Sequence, residues 1–256
     1  MMDLAGKNVV LVGGYGGIGM ATARLLLKKK IANLVIVSRL ENMENLRKLQ
    51  AEASNVNVLS VQMDITNRQS IEKGMKDIAL QIKQIDLLIN SAGVLMDRDV
   101  ETTIAVNLTG LINTCLMALP LMDKTQMGRG GLIVNLASVY GLEPNGALAV
   151  FSAAKHGVIG FTRSMSDETI QRRTGVSMIA ALPGLTQSEL MMNLRDKTTL
   201  DTTKELVEQM LAAKQQKPED VALNLMKAIE MNKNGALYIL NLGNLKEVSL
   251  NTHWQL

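Results

Sequence analysis

Cysteine is almost missing: Cys115 stands alone among 256 residues, so no intramolecular disulfide can form. The two histidines, His156 and His253, lie far from that thiol, which excludes a structural zinc of ordinary ligand spacing. Long apolar runs are lacking too. No stretch approaches the roughly 18 apolar residues that span a bilayer, and Met1 to Lys7 lacks the charged-then-apolar order of a signal peptide. The expectation is a soluble, cytoplasmic protein with no membrane partner, in which the sequon Asn107-Leu108-Thr109 goes unglycosylated. No charge of one sign dominates: 27 Lys and Arg face 24 Asp and Glu, a formal +3 that gives no reason to expect nucleic acid as a partner. The one local run, Lys28-Lys29-Lys30, follows Leu25-Leu26-Leu27 and reads as the cationic end of a helix, favoured there by the helix dipole.

Aromatic residues are scarce, with two Phe, three Tyr and one Trp against 17 Met, so flexible thioethers occupy space that rings normally fill. Two readings stay open: a loosely specified core, because Met fills irregular gaps, or a composition selected for its own sake. Only four prolines occur, and no Pro/Gly-rich linker, low-complexity tract or repeat interrupts the chain. With 47% hydrophobic residues disorder is excluded, and a single domain over residues 1–256 is expected.

Short β-rich apolar runs alternate with segments of helical period. Strands are expected at Asn8 to Gly13, Leu34 to Ser38, Val56 to Gln62, Asp86 to Asn90, Leu132 to Ala137, Val176 to Leu182 and Ala236 to Leu240. Near-continuous apolar strands joined by helices imply a parallel sheet covered on both faces, here a seven-stranded, doubly wound (Rossmann-type) α/β fold. The least patterned stretch, Gly184 to Thr203, reads as a mobile lid.

In such sheets ligands bind beyond the carboxyl ends of the strands, where the winding reverses. The first strand-to-helix turn is Gly13-Gly14-Tyr15-Gly16-Gly17-Ile18-Gly19, directly after Val9-Val10-Leu11-Val12. Its glycines permit a tight turn, backbone contact with a pyrophosphate and close helix packing, while the helix N-terminus faces the anion. A nicotinamide dinucleotide is the expected partner. At the end of the second strand an acidic residue would bond the ribose 2′-hydroxyl and repel a 2′-phosphate. Ser38-Arg39 stands there instead, so the cofactor is NAD or NADP, with NADP tolerated or preferred.

Together these residues identify a family. The chain resembles the short-chain dehydrogenase/reductases across nearly its whole length. Beside the glycine turn it has Asp64 after the third strand, Asn90-Ser91-Ala92-Gly93 after the fourth, then Asn107, Ser138, Lys155, and Pro183-Gly184-Leu185-Thr186 after the sixth. Ile104-Ala105-Val106-Asn107, the Ser138 to Lys155 interval and the ending near His253-Trp254 look most like the insect alcohol dehydrogenases. The methionine load resembles the fat-body, development-specific branch of that group. The resemblance implies that Asp64 holds the adenine end, Asn90, Ala92 and Gly93 line the cofactor, and Pro183, Gly184 and Thr186 embrace the nicotinamide. It further implies that Asn107 positions a water and a helix bend, Ser138 bonds the substrate oxygen, and Lys155 holds the nicotinamide ribose.

The family's chemistry also uses a tyrosine four residues before the lysine, and Phe151 occupies that position. Phenylalanine cannot transfer a proton, and general acid–base catalysis typically contributes about 10²–10⁴-fold, so dehydrogenase turnover should be lost or very weak. Tyr140 carries a phenol but lies on another segment. Lys155 could act directly if desolvation lowered its pKa, and His156, adjacent on a helix, should point elsewhere. Three readings follow: a dinucleotide-binding relative with impaired turnover, a methionine-rich non-enzymatic fat-body reserve or interaction protein, and a working alcohol oxidoreductase for a small alcohol or carbonyl ligand. The family also implies a homodimer packed through long helices over Val100 to Leu121 and Val150 to Arg172, and a tail, Asn251 to Leu256, near the active site.

Overall fold

The computed structural model describes residues 1–53 and 55–250, so the tail from Asn251 lies outside the described residues. The first strand, β1 (Asn8–Val12), is wholly buried; its Val9-Val10-Leu11-Val12 run faces helices on both sides and has no polar face to turn to solvent. After it come β2 (Asn33–Ser38), β3 (Asn57–Gln62), β4 (Leu87–Asn90), β5 (Gly131–Leu136), β6 (Val176–Pro183), β7 (Leu237–Asn241) and β8 (Asn244–Val248). Each end of the seven expected strands lies within one residue of its observed position. The strand order is β3-β2-β1-β4-β5-β6-β7-β8, with β1 to β7 parallel. The winding reverses between β1 and β4, which opens the crevice at their carboxyl ends.

The eighth strand corrects the seven-stranded, all-parallel expectation. It pairs antiparallel with β7 through a two-residue turn in which Leu242 and Gly243 both have positive φ, 49° and 81°. Leucine is a poor residue for that conformation, and β8 is largely exposed, so neither turn chemistry nor an apolar run announced it.

Alternate side chains divide the core between the two faces. Val10, Val12 and Val35 pack with Ile71 and Ile78 of α3 (Arg68–Ile82) and with Leu111 and Val158 of the helices behind β4 and β5. On the other face Val9, Leu11 and Leu34 pack with Leu26 of α1 (Gly17–Leu27), Leu49 of α2 (Met43–Glu52) and Ile229 of α8 (Pro218–Met231). Lys28 caps α1 at its C-terminal end, as the lysine run implied. Six methionines are buried and six exposed; gap filling accounts for the first group and has nothing to say about the second.

Two helices depart from expectation. Val100 to Leu121 is continuous, but it comprises α4 (Val100–Ile104), a π-helical turn (Ala105–Gly110), α5 (Leu111–Ala118) and a final 3₁₀ turn. By length and composition its 22 residues could cross a membrane, contrary to the reading of uninterrupted runs; in the fold it packs on the sheet and buries Thr103, Asn107 and Thr114. The helix expected over Val150 to Arg172 is two: α6 (Ala149–Met165) stops at Ser166, and Asp167 caps α7 (Glu168–Thr174) by accepting from the Thr169 N–H at 2.8 Å.

Candidate active site

The crevice holds a cleft of about 600 Å³ that continues, past shared walls of Ile18, Ala92, Gly93, Leu95 and Leu190, into a smaller cavity of about 110 Å³. Gly13, Gly17, Ile18 and Gly19 form the floor of the larger cleft. Gly13 has φ +79°, and a Cβ there would stand 2.5 Å from the Ala92 nitrogen; one on Gly19 would stand 2.3 Å from the Gly13 carbonyl oxygen. Only bare backbone fits. Helix α1 then begins with no side-chain cap and no acidic residue in its first turn, which leaves its dipole aimed at the cleft. Bare backbone and an uncapped helix N-terminus suit a phosphate-bearing ligand. Gly14 does not line the cleft as expected, because it faces the sheet, where a Cβ would meet Ile36 at 2.9 Å.

The ends of β2 and β3 supply the far wall. Ser38, Arg39 and Asp64 all border the cleft. The Ser38 hydroxyl is spent on the Leu40 carbonyl at 2.6 Å, while the exposed Arg39 has its carbonyl held by Gln62 and its guanidinium free of any ion pair among the described residues. Asp64 Oδ1 accepts from the N–H and hydroxyl of Thr66, so Oδ2 remains for a donor in the cleft. Asn90 turns the other way. Its Nδ2 donates to Asn135 Oδ1 at 2.9 Å and towards Cys115 Sγ at 3.1 Å, inside the protein, so it supports β4 and β5 rather than lining the cleft. Burial pushes the Cys115 thiol up to about 12.

The smaller cavity gathers Asn107, Ser138, Phe151, Lys155, Pro183, Gly184 and Thr186, with Ala92 and Gly93 on the shared wall. Asn107 sits in the π-helical turn and fixes it to the loop after β4: Nδ2 donates to the carbonyls of Val94 (2.7 Å) and Thr103 (3.0 Å), and Oδ1 accepts from the Val94 N–H (3.3 Å). Ser138 Oγ accepts from the Tyr140 N–H at 3.2 Å, which leaves its own hydrogen to donate into the cavity. Lys155 Nζ donates to the Leu136 carbonyl at 2.9 Å and lies 5.4 Å from the centroid of the Phe151 ring. Burial lowers its pKa to about 8. Phe151 itself is absorbed into a third apolar cluster with Leu95, Leu148, Leu194, Val207 and Met210.

Two residues were misjudged or missed. Tyr140, read as lying on the wrong segment, lines the same cavity as Ser138 and Lys155, because the 3₁₀ turn after Ser138 folds it back; burial raises its phenol pKa. Asp97, not singled out in the sequence, is 1% exposed and accepts from the N–H groups of Val150 (2.8 Å) and Phe151 (2.9 Å) and from the Thr199 hydroxyl (2.7 Å). It anchors the stretch Gly184 to Thr203 to the start of α6, and the neighbouring Arg98 pairs with Asp201 of the same stretch. That stretch is less featureless than expected, with 3₁₀ turns at Glu189–Met191, Leu194–Asp196 and Asp201–Thr203. His156 points away, its Nδ1 at 2.8 Å from the Ser152 carbonyl on its own helix.

The chain matches the family model for short chain dehydrogenase over residues 7–199. It is 49% identical to Fat body protein 2 of Drosophila melanogaster over 256 residues, covering 100% of both chains. It is 50% identical to the Development-specific 25 kDa protein of Sarcophaga peregrina over 252 residues, 97% of this chain and 98% of that one. To Alcohol dehydrogenase 1 of Ceratitis capitata it is 45% identical over 254 residues, 99% of each chain. The fold is shared with a short chain dehydrogenase/reductase from Burkholderia phymatum solved in complex with NAD (TM-score 0.77, 20% identity, 94% of this chain and 90% of that one). It is shared equally with levodione reductase (TM-score 0.77, 21% identity, 94% and 97%). With a glycine cradle at the winding reversal and relatives of about half identity along its whole length, the chain belongs to the short-chain dehydrogenase/reductase family.

Proposed function

We propose that this protein holds a nicotinamide dinucleotide in the cleft but turns over an alcohol or carbonyl substrate very weakly or not at all. The observation that carries the reading is the pairing of an intact cradle, where Gly13 and Gly19 admit no Cβ, with an apolar ring at position 151. When bound, the dinucleotide supplies the hydride acceptor or donor. The first turn of α1 would face its pyrophosphate, Asp64 its adenine end, and Ala92, Gly93, Pro183, Gly184 and Thr186 its nicotinamide half. Arg39 would attract a 2′-phosphate that no carboxylate at position 38 repels, which favours NADP. Ser138 would donate to the substrate oxygen and Lys155 to the ribose. Asn107 would keep the π-helical turn and Gly93 in place. What is missing is a group that takes the alcohol proton, because the Phe151 ring has no ionisable atom.

Tyr140 favours a second reading, an active alcohol oxidoreductase, since its phenol borders the cavity beside Ser138. Its raised pKa leaves less phenolate near neutral pH to accept the alcohol proton than the lysine-lowered phenol of the family's arrangement would have. The exposed half-dozen methionines favour the non-enzymatic reserve or interaction role, which is compatible with a bound cofactor that stabilises the fold by mass action. A homodimer is proposed through α5 and α6: Leu111 and Val158 are spent on the core, while Leu116 is exposed and Leu108, Met117, Phe161 and Met165 are only partly buried.

Calorimetric titration of the purified protein with NADH and NADPH tests the reading. Micromolar binding of either is expected, with NADPH the tighter. Absence of binding at millimolar ligand refutes the cofactor reading, and equal or tighter NADH refutes the assignment to Ser38 and Arg39.

A further inference from the structure

The Lys155 amine is set apart from every other lysine in the chain. It is 4% exposed, whereas Lys28 and Lys214 lie in solvent. Among the described residues no carboxylate lies within ion-pair distance of it, and its single hydrogen bond runs to the Leu136 carbonyl. An ammonium in that position leaves two of its three hydrogens without a protein acceptor, whereas a neutral amine keeps a lone pair for the cavity. The cavity beside it holds about 110 Å³, and its apolar wall of Leu95, Leu148, Leu185, Leu190, Met191 and Met210 suits a short aliphatic chain. At its polar end Ser138 can donate to a carbonyl oxygen, and Tyr140, kept protonated by burial, can supply a proton.

We propose that Lys155 is a carbonyl-capturing amine, which takes small aliphatic aldehydes from the adjoining cavity as a covalent imine. The nitrogen lone pair adds to the carbonyl carbon, the nitrogen gives up one of its two protons and the carbonyl oxygen takes one, which gives a carbinolamine. That oxygen then leaves as water with a second proton, and the remaining N–H proton is lost. Amine and aldehyde thus become imine and water, with no oxidant or reductant. Phe151 contributes by omission: no phenol stands beside the amine to bond it or to compete for the aldehyde oxygen. The same nitrogen cannot hold a dinucleotide ribose and an imine at once, so the two uses of the site exclude each other.

Reductive trapping tests this on the dinucleotide-free protein. The full chain is incubated at pH 7 with butanal and cyanoborohydride, and the alkylated lysines are located by peptide mass spectrometry over time. An amine with a pKa near 8 has a neutral fraction at pH 7 on the order of 10² larger than an ordinary lysine near 10.5. Allowing for restricted access, Lys155 is expected to be labelled at least about tenfold faster than Lys28 and Lys214. In urea that preference should vanish, and in Lys155→Arg the peptide should lose its label while the exposed lysines react as before. Labelling of Lys155 no faster than of Lys28, or a preference that persists in urea, overturns the proposal.

Discussion

Removing the Asp97 side chain should destabilise the protein as much as truncating a buried core residue. Helix α6 starts after Leu148, whose side chain cannot cap it, and Asp97 does so from a distant loop, with Oδ1 on the Phe151 N–H and Oδ2 on the Val150 N–H and the Thr199 hydroxyl. Asp97→Ala orphans the Val150 and Phe151 N–H groups in a nearly solvent-free spot and leaves the Thr199 hydroxyl only its longer bond, 3.3 Å, to the Ala147 carbonyl. Each unsatisfied donor costs about 1–3 kcal/mol. With water entering the vacated volume and relieving part of that, the loss should be about 3–5 kcal/mol. Asp97→Asn keeps one acceptor and turns an amide N–H₂ towards helix donors, so it should fall between wild type and alanine. Urea unfolding followed by circular dichroism reads the change as a fall in midpoint of about 1 M or more. A loss below about 1 kcal/mol at unchanged slope would refute the idea that this side chain ties the segment over the cleft to the helix that carries Lys155.

Further outcomes follow from other parts of the structure. Gly19→Ala should weaken NADH binding at least tenfold in titration calorimetry, because a Cβ 2.3 Å from the Gly13 carbonyl oxygen forces the cradle open; undiminished binding would place the ligand elsewhere. Cys115, fully buried with its thiol pushed up to about 12, should resist iodoacetamide in the native protein and react in urea, as mass spectrometry can follow. Asp86 is pushed up by burial but more than brought back by the two-pronged Arg129 bond, the Asn8 N–H and the Lys7 charge, so its pKa lies below the ordinary 3.8. A folded-state pKa below the unfolded one gives stability that is present above the unfolded value and lost as pH falls through the folded one. Arg129→Met should therefore move acid unfolding to higher pH; an unchanged acid midpoint would contradict the assignment.

The parallel sheet was legible because each strand is buried on both faces and must therefore be written as a continuous apolar run, as in Val9-Val10-Leu11-Val12 and Leu34-Val35-Ile36-Val37. The glycine turn was legible for an equally local reason, since backbone contact leaves no choice of residue at Gly13 and Gly19. What depends on tertiary direction was not. Asn90 and Gly14 belong to the right segments but turn into the core, and Tyr140 reaches the cavity only because a 3₁₀ turn follows Ser138. Asp97 sits in an unremarkable Met-Asp-Arg-Asp stretch, and nothing nearby in sequence reveals that its partners lie 53, 54 and 102 residues away. The break at Ser166 was readable from Asp167-Glu168, a capping residue followed by an acidic first turn, but the apolar period running through Phe161 and Met165 masked it.

If the site can hold its cofactor and lacks only a proton acceptor, Phe151→Tyr should restore turnover. The ring position is buried at 8% exposure, Lys155 Nζ stands 5.4 Å from its centroid, and a phenol there would have the lysine charge to lower its pKa. Steady-state oxidation of short alcohols, with bound NAD or NADP verified by calorimetry, should rise about 10²–10⁴-fold in Phe151→Tyr over the natural sequence. Equal rates in the two proteins, with cofactor bound to both, would contradict the account.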